Sequence, residues 1–256
     1  MTKAVLVLTI LCFSGPLLAD HIPVAPEGVL EFEGRVAAFL KINDFQPLAE
    51  LKARLEDEER ELRYMSLTLG SYYRLHENLK VGAFYRLQRG KRHDDDWVLT
   101  DSGTAWEWED SRGRFEHLLM ADVSPRILLD FIPGKNWVFM LKNRYIFNTF
   151  NSEHTILVRP GLTYFLLVDR EPLFNFSFNY YLYFPLNFGE TTLYDHWPQL
   201  SVLYHASSLL KFELTGSFRT TTWSTSEEEW ETDGERYSEA YQRWVIGLGV
   251  LFNIEP

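Results

Sequence analysis

The stretch FNFSFNYYLYF, residues Phe174 to Phe184, alternates without a break. Phe174, Phe176, Phe178, Tyr180, Leu182 and Phe184 are large and apolar. Asn175, Ser177 and Asn179 between them are small and polar, and Tyr181 and Tyr183 complete that second set. A period of two places these sets on opposite faces of a β-strand. Eleven residues at 3.3 Å each, tilted by about 45°, span roughly 25 Å. One face of this strand wants an apolar neighbour and the other wants water.

The same period runs through the chain from Gly28 onward. Ten segments carry it, among them Gly28–Ile42, Leu62–Leu75, Leu79–Gln88, Trp137–Phe147, Thr155–Val168, Leu209–Thr222 and Tyr241–Ile254. Gln199–His205 is the core of another, and Phe115–Leu129 is the least regular. The connections alternate in length: about 43–61 is long, 76–78 short, 89–113 long, 131–136 short. The alternation continues to the long connection at about 223–237. The first of these, with the stretch PLAELKARLEDEERELR, reads as a surface helix. Leu48, Leu51 and Leu55 share a helical face there, and Glu50–Arg54 and Glu56–Arg60 have i,i+4 spacing.

Residues 1–19 read as a secretory signal peptide: Lys3, an apolar run from Ala4 to Phe13, a Ser14-Gly15-Pro16 break, and Ala19 before the cut. Residues 20–256 are then one domain. Cys12, the only cysteine, lies in the removed segment, so no disulfide or thiolate metal site is expected. No later stretch is apolar enough for a membrane helix. A membrane protein of this composition has to cross as a closed sheet.

With its export signal, its alternating strands and its unequal connections, the chain resembles the bacterial outer-membrane β-barrel proteins. The resemblance implies an all-β, antiparallel up-and-down barrel of about ten strands, with twelve the alternative count. It implies short periplasmic turns, longer outside loops, and both termini in the periplasm. It also implies a place in the outer membrane, with membrane lipid and the barrel-insertion machinery as partners, the latter reading the aromatic C-terminal strand Tyr241–Phe252. On this reading Phe174, Phe176, Phe178, Tyr180, Leu182, Phe184, Trp244 and Phe252 face lipid.

The opposite parity then lines the lumen. It includes Arg35, Arg74, Arg86, Arg126, Lys142, Arg144, Arg159, Lys211, Glu213, Arg219 and Arg243, together with Glu31, Glu33, Lys41, Lys80, Glu116 and Asp122. Twelve bases face five acids in this set. It reads either as a narrow pathway favouring anions or as a salt-bridged plug. Tyr64, Tyr72, Phe84, Tyr181 and Tyr183 would narrow the lumen further. The mature chain carries a net charge of −12, all of it on three connections: −4 on 43–61, −3 on 89–112 and −5 on 224–236. That acidity argues against nucleic acid as a partner.

Catalysis has one candidate. Asp94 and Asp96 of HDDDW and Asp195 and His196 of YDHW fall in two outside connections. They resemble the D-x-D and D-x-H loop motifs of the omptin surface proteases, although Asp195 and His196 are adjacent here. Such a set would activate a water for peptide hydrolysis. The balance of the sequence leans away from an enzyme, and no cofactor or metal is implied. Binding or adhesion through the acidic loops is the remaining alternative.

Overall fold

A computed structural model describes residues 29–56, 62–90, 97–99, 106–108, 113–132, 136–187, 195–224 and 238–255. Among these residues the regular structure is β throughout apart from one 3₁₀ position at Gly113. The strands are β1 Val29–Leu40, β2 Phe45–Glu56, β3 Leu62–His76 and β4 Leu79–Arg89. A short hairpin follows, β5 Trp97–Leu99 and β6 Trp106–Trp108. Then come β7 Phe115–Leu128, β8 Trp137–Asn148, β9 His154–Val168 and β10 Glu171–Pro185. β11 Asp195–His205, β12 Leu210–Ser224 and β13 Ser238–Ile254 complete the chain.

Eleven of these strands close into one barrel, in the order β1-β13-β12-β11-β10-β9-β8-β7-β4-β3-β2. The paired β5 and β6 stand apart as a two-stranded sheet. Each neighbouring pair in the barrel is antiparallel except one. β1 and β13 run parallel, with Val29 opposite Arg243 and Leu40 opposite Ile254. An up-and-down sheet with an odd number of strands has no other way to close.

The eleventh strand is β2, and it corrects the expected surface helix. The residues 45–56 carry two patterns at once. Leu48, Leu51 and Leu55 have helical spacing, yet Ala49, Leu51, Ala53 and Leu55 also alternate with Glu50, Lys52 and Arg54. Helix propensity is a weak preference that tertiary pairing overrides. Here β2 completes ladders with β1 on one side and β3 on the other, from Glu31–Glu56 to Phe45–Tyr73. The long first connection of the sequence reading therefore shrinks to a tight turn. Ile42 and Phe45 exchange backbone hydrogen bonds of 2.9 Å, and Asn43 takes a positive φ of 53°.

The odd count also corrects the placement of the termini. β1 begins at one end of the barrel and β13 finishes at the other. At the end where β13 finishes, the connections are 41–44, 77–78, 129–136, 169–170 and 206–209. At the end where β1 begins they are 57–61, 90–114, 149–153, 186–194 and 225–237. Apart from the eight residues of 129–136, the first set is tight; Asp169 and Arg170, both at positive φ, make one of these turns alone.

Inside the wall, Phe84 lies over the backbone of Gly70 and Gly82. A Cβ on Gly70 would sit 2.3 Å from the Ala83 carbonyl oxygen and 2.4 Å from Phe84 Cδ1. On Gly216 it would meet nothing within 4 Å. Gly70→Ala is therefore expected to destabilise the barrel by about 1–3 kcal/mol through overpacking, and Gly216→Ala by much less. Paired urea-unfolding curves of the two variants in detergent test this, and equal midpoints would refute it.

Candidate functional site: the barrel lumen

The distribution of burial is the reverse of a soluble barrel. Among the described residues, nine buried side chains are apolar and sixteen are polar or charged. Glu116, Thr68 and Asp122 are the largest of the fully buried groups. Leu200, Leu248 and Trp244 on the outer wall are 65%, 67% and 59% exposed. Strand alternation produces this: each strand sends its polar set inward, as in Asn175, Ser177 and Asn179 of β10.

The inward charges form three groups. Arg35 of β1 binds Glu50 of β2 at 2.7–2.8 Å and Glu213 of β12 at 2.6 Å. Glu33 of β1 accepts from Lys52 at 3.4 Å, Arg54 at 3.2 Å and Arg219 at 3.4 Å. Beside it, Glu31 pairs with Arg54 at 3.3 Å and Arg243 at 3.7 Å. Across the lumen, Asp122 of β7 receives a two-point contact from Arg144 of β8, at 2.5 and 2.8 Å, and Lys142 Nζ at 2.7 Å. Lys142 also donates to the Tyr72 hydroxyl at 2.8 Å. Near the first two groups, Arg86 donates to Thr68 at 2.9 Å.

Aromatic rings line the same space. Arg219 lies over Trp197 at 4.5 Å, Arg159 over Tyr181 at 5.3 Å and Arg144 over Phe84 at 5.2 Å. Trp197 stacks on Tyr181 and Tyr183 at 4.7 and 5.1 Å. These groups surround a cavity of about 550 Å³. Its lining reaches Gly90 and Glu153 at the long-connection end, and Phe39, Leu48, Tyr72 and Met140 toward the short turns.

An apolar layer stands at that second limit. Buried Ala37, Leu48 and Leu251 lie in the short-turn halves of their strands, with Phe39 and Leu203 packed against them. The cluster continues to Phe84, Leu118 and Met120, joined by Tyr72 and Ile146. The cations Lys41, Arg74, Lys80, Arg126 and Lys211 have the inward parity but lie past this layer, at the short-turn mouth. Lys80 donates to Gln46 at 3.1 Å, Arg126 to the Glu77 carbonyl at 2.7 Å, and Lys41 pairs with Glu255 at 2.9 Å.

The structure thus sorts the residues expected in the lumen. Arg35, Arg86, Lys142, Arg144, Arg159, Glu213, Arg219 and Arg243 line the cavity, whereas Arg74, Arg126 and Lys211 belong to the mouth. The expected excess of twelve bases over five acids shrinks because Lys41, Arg74, Lys80, Arg126 and Lys211 lie past the apolar layer, while β2 and β11 add two acids and two bases. Glu50, Lys52 and Arg54 enter from β2, and Asp195 enters from β11. Sequence reasoning missed these four because it placed both segments in loops. Their alternation with Leu51, Ala53 and His196 was the available signal.

Of the expected hydrolytic set, the described residues include Asp195 and His196. Asp195 and His196 are consecutive in β11 and face opposite sides. Asp195 accepts from Thr221 at 3.0 Å within the lumen, while His196 Nδ1 meets the Tyr180 hydroxyl at 2.9 Å on the outer wall. Asp94 and Asp96 lie outside the described residues. No group of three potential metal ligands occurs among the described residues.

On the outer wall, Phe174, Phe176, Phe178, Tyr180, Leu182, Phe184, Trp244 and Phe252 all have the outward parity. Aromatic pairs form two tiers on this wall. Toward the short turns, Phe45 packs on Tyr73, Trp137 on Tyr164 and Phe174 on Tyr204. Toward the long connections, Phe218 packs on Trp244. Three diagonal Tyr–His pairs share that tier: Tyr85–His117 at 2.6 Å, Tyr145–His154, and Tyr180–His196.

Comparison with known protein families and with curated sequences returns no match.

The lumen network makes a sharp energetic prediction. Asp122 is the one carboxylate within ion-pair distance of Lys142 and Arg144 among the described residues. Asp122→Ala leaves both cations buried and unpaired, which is expected to cost about 3–5 kcal/mol. Replacing Lys142 and Arg144 with Met in the same chain should recover much of that loss. Unfolding free energies of the single and triple variants decide it; a single variant within 1 kcal/mol of wild type would contradict the assignment.

Proposed function

We propose that this chain is an integral outer-membrane barrel closed to free flow, with a polar cavity reached from its long-connection side. The observation that carries the reading is the inverted wall: buried charges inside, a continuous apolar band outside, and aromatic tiers near both ends. A soluble monomer exposes apolar patches of only a few hundred Å², and this band encircles the barrel. Lipid is the solvent that suits it, and rings with a polar edge suit the two interfaces. The C-terminal strand β13 is the segment offered to the insertion machinery. Its partner β1 runs parallel to it, a departure from the even strand counts of bacterial single-chain barrels.

Closure of the lumen follows from side-chain volume and pairing. Barrels of about eight strands are filled by their side chains, whereas sixteen or more leave a channel. Eleven strands leave a cavity here, bounded by the apolar layer of Ala37, Phe39, Leu48, Leu203 and Leu251. An apolar constriction resists wetting and so resists ions. Compared with the anion-pathway alternative, the near balance of lumen charges favours a braced, non-conducting barrel. The separation of Asp195 from His196 weighs against a rim protease.

Two measurements test this reading. Leu200→Arg and Leu248→Arg, in the middle of the outer wall, are expected to cost about 2–4 kcal/mol each in a bilayer. The same changes on a soluble barrel would cost almost nothing. In planar bilayers the wild-type protein is expected to show no discrete conductance. The triple variant Phe39→Ser, Leu48→Ser and Leu251→Ser should gain one, because it wets the apolar layer. A stable wild-type conductance would overturn the closed-barrel reading.

A further inference from the structure

Arg159 is a cation of the cavity wall with no carboxylate within ion-pair distance among the described residues. It projects from β9 into the cavity, and its single hydrogen bond goes from Nη1 to the Tyr181 hydroxyl at 3.1 Å. Its Nε is fully enclosed and has no partner. Directly opposite in the β8–β9 ladder is Lys142, a second cation. Like charges facing each other across a ladder are destabilising unless something lies between them. Lys142 and Arg144 already share the one carboxylate of Asp122. Three basic side chains around one acid can carry a local surplus of up to two positive charges in a confined space, a costly arrangement when all are protonated.

Two residues with an unpartnered buried N–H flank the same tyrosine. Tyr181 is held between Arg159 on β9 and Trp197 on β11, at 5.3 and 4.7 Å. Trp197 Nε1 is also buried without a partner. The Tyr181 hydroxyl donates to Gln199 Oε1 at 3.1 Å, so that acceptor is already used. What the wall offers at this point is N–H groups and positive charge. An oxyanion supplies what is missing: two or three acceptor atoms and one or two negative charges, matched to a guanidinium fork.

We infer that the lumen contains a binding site for the anionic head of a small molecule, a carboxylate or a phosphate, seated on Arg159 and Lys142 beside Tyr181. The site rests on the closed-barrel reading for its access from the long-connection side. The head would neutralise the surplus charge, and the Tyr181, Tyr183 and Trp197 rings would contact whatever it carries.

The test is calorimetric titration of the full mature protein, folded in detergent, with inorganic phosphate, acetate and sulfate at constant ionic strength set by sodium chloride. Saturable, one-to-one binding of at least one oxyanion is expected. Arg159→Gln should weaken it at least tenfold, and Lys142→Met should weaken it severalfold. Arg159→Lys keeps the charge without the fork and should fall between wild type and Arg159→Gln. Arg74→Gln, beyond the apolar layer, should leave it unchanged. Preference for phosphate over acetate would point to a phosphorylated ligand, the reverse to a carboxylic acid. Heat-modifiable gel mobility confirms that each variant is folded; if Arg159→Gln is not, Arg159→Lys and Lys142→Met carry the test. Absence of saturable binding, or equal binding by wild type and the folded Arg159 and Lys142 variants, would overturn the site. Neither result would bear on the closed barrel, which stands or falls on conductance and on the outer-wall arginine variants.

Discussion

The structure depends on one seam. β1 carries two hydrogen-bonded ladders, a parallel one to β13 and an antiparallel one to β2. Without it, β13 and β2 would each present a free edge. In water a free edge is an aggregation hazard, and in hydrocarbon an unsatisfied peptide group costs several kcal/mol. The seam joins the two ends of the barrel chain, so it can form only when the last strand exists. Its contacts have the longest sequence separation in the molecule. Its inward side chains also anchor the interior: Glu31, Glu33 and Arg35 of β1 receive partners from β2, β12 and β13. Backbone closure and charge pairing therefore reinforce each other along the same twelve residues.

Burying charge is a poor route to stability in general, because desolvation offsets most of the Coulombic gain. Here the chain has little choice. A sheet that gives its apolar face to an apolar surrounding must turn its polar face to the lumen. The lumen is too narrow to hydrate every group there as bulk water would. Pairing and rings resolve this. Glu33 serves three cations and Asp122 two, while guanidinium planes lie over Trp197, Tyr181, Phe84 and Tyr64. Small residues make the room. Phe84 can lie across the wall because Gly70 and Gly82 have no side chain to meet it.

Period two made most of the fold legible. FNFSFNYYLYF announced one wall of a closed sheet, and the parity of Arg35, Lys142, Arg144 and Arg219 followed from their neighbours. Two segments were not legible, for one physical reason. Residues 45–56 are rich in Leu, Ala, Glu, Lys and Arg, which are good helix formers, and their apolar positions satisfy both periods. Residues 195–198 contain Asp, His and Pro, which read as a connection by composition. In both cases the decision belonged to the neighbouring strands, which were unfilled on one side. Misplacing them hid Glu50, Lys52, Arg54 and Asp195, and with them the partners of Glu31, Glu33 and Arg35; the near balance of the lumen comes instead from the cations that lie past the apolar layer. The unpaired state of Arg159 was invisible for a different reason. Parity places a side chain inside, but only packing shows what it fails to reach.

Charge is also sorted along the barrel axis, and strand count is what sorts it. With β2 in the wall, the acid-rich connections at 57–61, 90–114 and 225–237 all leave from one end. Lys41, Arg74, Lys80, Arg126 and Lys211 gather at the other. The apolar layer lies between the cavity and that basic mouth. An anion approaching from the short-turn side would be drawn to the mouth and stopped at the layer. From the acidic side it would meet repulsion first and then the surplus charge at Arg159. On the proposed reading such a barrel would admit anions sparingly and hold those it admits, which is the electrostatics of a binding cavity and not of a conduit.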